Sequence, residues 1–248
     1  MRYLIVAEAY RDLEQATGRL VLTERLAALL AQTPAELLPT VCYLCQGLIA
    51  PEFAGVDLGL AEKMAVRAVG AATGAEPAEV AGLVREVGDL GQAAEQLLTA
   101  RGSRGSRGSL GSVGDGRAGS LEVTVVMSTL REIAAADGAG SQGRKLELLA
   151  GLLALATPLE ARYLLRLVTR NLRLGIGTPT ILDALAQVHA GGKAARPVLE
   201  RAYNICCVHD GRVSAGSQAD QGRVGRVVNG TRQPRGQHTR SDLGLWAG

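Results

Sequence analysis

The sequence predicts an all-α chain built from two related halves, on three observations. Apolar residues recur at three- and four-residue steps, as at Leu146, Leu149, Ala150 and Leu153, the spacing of one buried helical face. A Thr-Pro-x-Glu start, with a cap, a proline in the first turn and a glutamate three residues past the cap, occurs at both Thr33 and Thr157. Segments of the first half also return in the second. LAALLAQTPAELL at residues 26–38 echoes LAGLLALATPLEAR at 149–162 with one residue inserted, and VDLGLAEKMAVRAV at 56–69 echoes LRLGIGTPTILDAL at 172–185. Such self-similarity makes duplication of one helical unit the expected architecture: two pseudo-repeated lobes, residues 1–100 and 121–207.

In chain order, the first lobe predicts a helix over residues 3–16 and another from Thr23 to Ala31. A helix from the Thr33 start then runs toward Gly47, followed by a loop from Pro51 to Val56. Helices are expected over Gly59–Ala72 and Pro77–Val87, and a turn at 88–91 precedes a short helix ending near Ala100. The composition changes at Arg101, where RGSRGSRGSLGSVGDGRAGS predicts a flexible linker over 101–120. The second lobe carries helices starting at Ser141, read as an N-cap, at Thr157 and at Thr178. Residues 208–248, rich in Gly, Arg, Val and Gln without helical period, are expected to be disordered.

The 248 residues are 47% hydrophobic, enough for a sizeable core, and carry a net charge of +3. Six Arg against three acids fall in 208–248, so residues 1–207 balance at 21 basic and 21 acidic groups. Any polyanion must therefore meet a local patch. Aromatic residues are 3% of the chain, too few for base stacking to dominate. No signal peptide or membrane span is visible, which points to the cytoplasm. Cys42 and Cys45 form a CxxC, but inside the apolar run LLPTVCYLCQGLI and without a second ligand pair, so core packing is expected. His189 ends a helix and His209 and His238 lie in the tail; none is assigned a catalytic role.

The candidate site lies at two helix starts. Helix N-termini favour acids, yet Arg144 and Lys145 follow Ser141 and Gln142 in a first turn. Exposed backbone amides beside cations suit a phosphate oxygen. Arg173, Gly175, Gly177 and Thr178 surround the second start. Between them, Arg162, Arg166, Arg170 and Arg173 step by four, four and three, and so share one face if the helix is continuous. The alternative for these arginines is pairing with carboxylates, Glu147 or Glu160; for the glycines it is tight turns alone.

GAGSQGRKLELLAGLL, TPLEARYLLRLVTRNLRLGIGTPTILDALA and RPVLERAYNIC, with YLCQGLIAPEFAGVDLGLAEK and VGDLG in the first lobe, resemble the N-terminal DNA-binding domain of ATP-dependent DNA ligases of the archaeal and eukaryotic replicative type. The resemblance covers residues 1 to about 206. It implies a helical domain that grips double-stranded or nicked DNA through the minor-groove side and the sugar-phosphate backbone without reading sequence. It also implies a nucleoid-associated monomer in replication, repair and recombination. For the whole ligase it implies ATP and Mg²⁺; no cofactor is expected in this chain, because none of Lys63, Lys145 and Lys193 stands in the family's KxDG motif and a lysyl-adenylate needs that nucleophile. The chain is thus expected not to seal nicks alone, and its tail reads as an out-of-frame or truncated continuation, with a genuine basic tail as the rival. A helical protein-interaction scaffold is the alternative function.

Overall fold

The computed structural model describes residues 1–51, 54–105, 121–189 and 192–201. Its helices include α1 (Tyr3–Glu14), α2 (Arg19–Ala31), α3 (Leu38–Cys45), α4 (Glu62–Thr73), α5 (Pro77–Val87), α6 (Leu90–Gly105), α7 (Val123–Ala135), α8 (Ser141–Leu155), α9 (Pro158–Val168) and α10 (Thr178–His189), with 3-10 turns at Ala35–Leu37 and Lys193–Ala195, and residues 196–201 are helical as well. No strand occurs among the described residues; one isolated bridge joins Arg2 to Glu122. The all-α expectation holds.

The burial patterns of the two halves run parallel. α1 buries Tyr3, Val6, Ala7, Tyr10 and Leu13, and α7 buries Val123, Val126, Met127, Leu130 and Ile133, at the same steps. α2 buries Leu26, Leu29 and Leu30 where α8 buries Leu149, Leu152 and Leu153. The two copies meet head to head. Tyr3 N–H donates to the Leu121 carbonyl (2.7 Å) and Val123 N–H to the Met1 carbonyl (3.0 Å), a reciprocal pair of bonds. Helices then exchange across this pseudo-dyad: α4 of the first copy packs on α8, and its counterpart α10 packs on α2. α6 packs on α9. Buried residues of both halves form one continuous apolar cluster, so the expected lobes share a core.

Local departures from the sequence reading have physical causes. Thr157 forms the expected capping box: its backbone N–H donates to Glu160 Oε2 (2.8 Å) and its hydroxyl accepts from Glu160 N–H (3.3 Å). Its partner in the repeat does not. Thr33 donates back to the Leu29 carbonyl (2.8 Å), and Pro39 is tolerated only in a first helical turn, so a 3-10 turn intervenes and α3 starts at Leu38. Ser141 is the first residue of α8 rather than its cap; left-handed Gly140 (φ 84°) holds the cap position with no side-chain bond. Residues 101–105 of the stretch read as linker belong to α6, which continues to Gly105, and Arg101 donates to the Ala72 carbonyl. Residues 106–120 and the tail from 202 onward, including 208–248, lie outside the described residues.

Candidate nucleic-acid interface

The four arginines of the 162–173 stretch do not share a face. α9 is buried nearly all round, and two of its arginines turn inward. Arg166, 9% exposed, donates through Nε to both Asp89 oxygens (3.2 and 3.1 Å) and through an Nη to Glu14. Arg162 pairs with Glu95 (3.0 Å) and Glu14 (3.3 Å). Tyr163 lies under both guanidiniums at 5.6 Å and donates to Glu14 (2.9 Å). The arginines are therefore matched by carboxylates, as the alternative reading had it, but the partners come from α1, the α5–α6 turn and α6 instead of Glu147 or Glu160. Arg166 is a clamp among three helices and offers no free guanidinium to a ligand.

The helix stops before the other two arginines. Arg170 N–H donates to the Leu167 carbonyl (3.1 Å) and Asn171 N–H to the Arg166 carbonyl (2.7 Å), the bond pattern of a left-handed C-terminal cap. Arg170 takes the left-handed position at φ 57°. The first copy ends α3 identically: Gly47 (φ 74°) donates to Leu44 (3.0 Å) and Leu48 to Tyr43 (2.9 Å). Past this cap, Arg170 reaches an Asp57 oxygen at 2.9 Å.

Lys145 is not at the surface of the α8 start. It is 9% exposed, on the buried side with Leu149 and Leu152, and its Nζ donates to the Leu58 carbonyl at 2.9 Å. A Cβ at Gly59 would stand 2.8 Å from that Nζ, and Gly59 is itself left-handed (φ 59°), so a side chain here is strained and pushes the ammonium aside. Asp57 accepts from Gly59 N–H (3.0 Å). That amide first, and then Arg170 and Lys145, hold its carboxyl below the ordinary carboxylate range. The loop at 54–61 thus ties the start of α8 to the end of α9, bringing Lys145 and Arg170 to one place.

The corresponding turn of the second copy is built alike and closed less. Leu174 is buried as Leu58 is, and Gly175 is left-handed (φ 68°) as Gly59 is. Arg173 and Gly177 are exposed, and no bond or ion pair of Arg173 is seen among the described residues. Thr178 donates to Gln46 Oε1 (3.4 Å), so each turn leans on the end of the other copy's third helix. At the α8 start Gln142 and Arg144 are exposed and Ser141 half-buried, beside a shallow hollow also lined by Glu132 and Asp137. Those acids temper the positive charge there. The sequence reading missed Asp57, the Leu58 carbonyl and Gln46 as partners; the DLG at 57–59, a left-handed turn with its own acceptor, was the available signal.

The CxxC is packing. Cys45 is buried and Cys42 half-buried in α3, and burial pushes the Cys42 thiol up to about 12. Among the described residues no three His, Cys, Asp or Glu side chains converge on a metal position, and Lys145 is engaged with a carbonyl. No described helix is long and apolar enough to cross a membrane.

Taken together these elements define an all-α domain in which Arg170 and Arg173 stand exposed beside two left-handed glycine turns. Residues 2–186 match the family described as DNA ligase N terminus. "DNA ligase 2" of Thermofilum pendens is 46% identical over 201 residues, 81% of this chain and 33% of the relative. A "Probable DNA ligase" of Aquifex aeolicus is 43% identical over 205 residues, 83% of this chain and 33% of the relative. The "DNA ligase" of Aeropyrum pernix is 42% identical over 230 residues, 92% of this chain and 36% of the relative; that alignment reaches past residue 207, into the stretch read as out of frame. The chain belongs to the DNA ligase N-terminal family. It spans about a third of the length of these relatives.

Proposed function

We propose that this chain grips duplex DNA, nicked duplex included, through the sugar-phosphate backbone and without sequence preference, as the DNA-binding part of a ligase whose whole activity is nick sealing. The observation that carries the reading is the match of residues 2–186 to the N-terminal part of DNA ligases. The surface supports it. The two strands of a duplex run antiparallel and are related by local dyads, and a protein with a pseudo-dyad can offer one turn to each strand. Here the two glycine turns, at 58–61 and 174–177, are such a pair, with Arg170 and Arg173 exposed beside them. Backbone contacts of this type position a protein without reading bases. Arg173, Gly175, Gly177 and Thr178 form one contact group and Ser141, Gln142 and Arg144 another, while Lys145 and Arg166 support from within. The chain acts in this reading as a monomer, in the cytoplasm with the nucleoid.

Titration of nicked duplex against salt tests it. Counterion release makes log affinity fall linearly with log salt, by ~0.9 per phosphate neutralised. A steep slope that flattens in Arg173→Ala is expected. No binding at low salt would instead favour a helical protein-interaction scaffold.

A further inference from the structure

We propose that Arg170 is a single-phosphate contact whose occupant in the DNA-free chain is the Asp57 carboxylate, so that binding exchanges that carboxylate for a backbone phosphodiester. The inference rests on the DNA-binding reading and goes beyond it by naming one subsite and its internal competitor. Two independent observations point to it. The first is conformational. Arg170 occupies the left-handed residue of a helix cap at φ 57°, and the first copy fills the same position, with the same two hydrogen bonds, with Gly47 at φ 74°. Side chains rarely adopt this conformation, and strained residues cluster where the side chain has work to do. Nothing in the fold requires an arginine there, since its copy closes with none.

The second observation is what the side chain holds. Arg170 and Asp57 are 67% and 64% exposed, and their charged groups meet at 2.9 Å. The same Asp57 oxygen accepts from Gly59 N–H at 3.0 Å. Lys145, with its Nζ on the adjoining Leu58 carbonyl at 2.9 Å, adds a positive field. A guanidinium and a backbone amide at a left-handed glycine are donors that a phosphate oxygen takes, and the inner ammonium favours an anion there without touching it. Because an ion pair this open contributes little, the carboxylate is readily displaced by a polyanion. Asp57 therefore keeps the guanidinium aimed while no DNA is present and sets a threshold that DNA must overcome.

The test is a mutant cycle in the full chain, read by binding to a nicked duplex across salt. Asp57→Asn keeps an acceptor for the Gly59 amide and removes the charge; it should tighten binding about fivefold, the equivalent of freeing one surface ion pair. Arg170→Gly gives the cap the residue its copy already uses, so it should fold at least as well, weaken binding and lower the salt slope by ~0.9. In the Arg170→Gly background the gain from Asp57→Asn should vanish. Glu8→Gln, which removes an exposed acid on α1, controls for general loss of negative charge and should give a smaller gain. The exchange is overturned if Asp57→Asn weakens binding, if its gain survives without Arg170, or if Glu8→Gln matches it. Failure of the unmodified chain to bind any duplex at low salt sinks the DNA-binding reading and this inference together, whereas binding with additive mutants sinks this inference alone.

Discussion

Replacing Arg166 with Met should damage stability and leave DNA contact almost untouched, the reverse of what its place among the arginines of 162–173 suggests. Methionine keeps the apolar stem over Tyr163 and removes the charge. The side chain of Arg166 is 11% exposed, and its loss strips a donor from Asp89 and one from Glu14, themselves 22% and 26% exposed. Removing one partner of a fully buried pair costs ~3–5 kcal/mol. Here the carboxylates are part-solvated and each keeps another donor: Gln92 N–H on Asp89 at 2.7 Å, Arg162 and the Tyr163 hydroxyl on Glu14 at 3.3 and 2.9 Å. The cost should then fall to ~2–3 kcal/mol, which for a domain near 200 residues is a drop of roughly 5–10 °C in Tm. Thermal unfolding reads the drop, and a duplex titration below the transition should show an unchanged salt slope. An unchanged Tm together with a flatter slope would refute the assignment of Arg166 to the interior.

The turn at 57–59 should respond alike from either side. Gly59→Ala changes no charge but forces a Cβ against Lys145 Nζ at a left-handed residue, and Lys145→Met removes the tether. Both should speed hydrogen exchange at 57–60 and weaken duplex binding at constant salt slope, non-additively, whereas a lower slope in Lys145→Met would mean that the ammonium meets phosphate itself. Thr157→Ala breaks the capping box and should cost ~1 kcal/mol in unfolding experiments; no loss would show that Glu160 is held by other means. On the alkaline side, a thiol whose folded value is raised stabilises the fold in full below its ordinary value of 9.0 and loses that contribution as pH rises toward about 12. Tm should therefore decline above pH 9, and Cys42 should resist alkylation at pH 8 until the chain unfolds. Rapid native alkylation would contradict its burial.

How much of this was legible depended on whether the partner lay nearby in sequence. The helices of the second half and the capping box at Thr157 are local or periodic features, and both appear. The inward turn of Arg162 and Arg166 was not readable, because Glu14, Asp89 and Glu95 lie 67 to 152 positions away and join them only when α1, α6 and α9 pack. The end of α9 was hidden by an arginine in a conformation that usually selects glycine, although Gly47 at the matching place in the repeat was the clue. Lys145 shares the i, i+4, i+7 stripe of Leu149 and Leu152, so its burial was written in the periodicity and outweighed by its charge. Ala-rich α6 runs on past Arg101 because propensity and the Arg101 bond to Ala72 carry the helix into glycine and serine.

The affinity of the full chain for a nicked duplex between 50 and 200 mM salt, with Arg173→Ala and Arg166→Met beside it, tests the central claim most directly. A log-log line of steep negative slope is expected, shallower by ~0.9 in Arg173→Ala and unchanged in Arg166→Met. Salt-independent binding, no binding at 50 mM, or a slope that Arg166→Met flattens and Arg173→Ala does not, would contradict it.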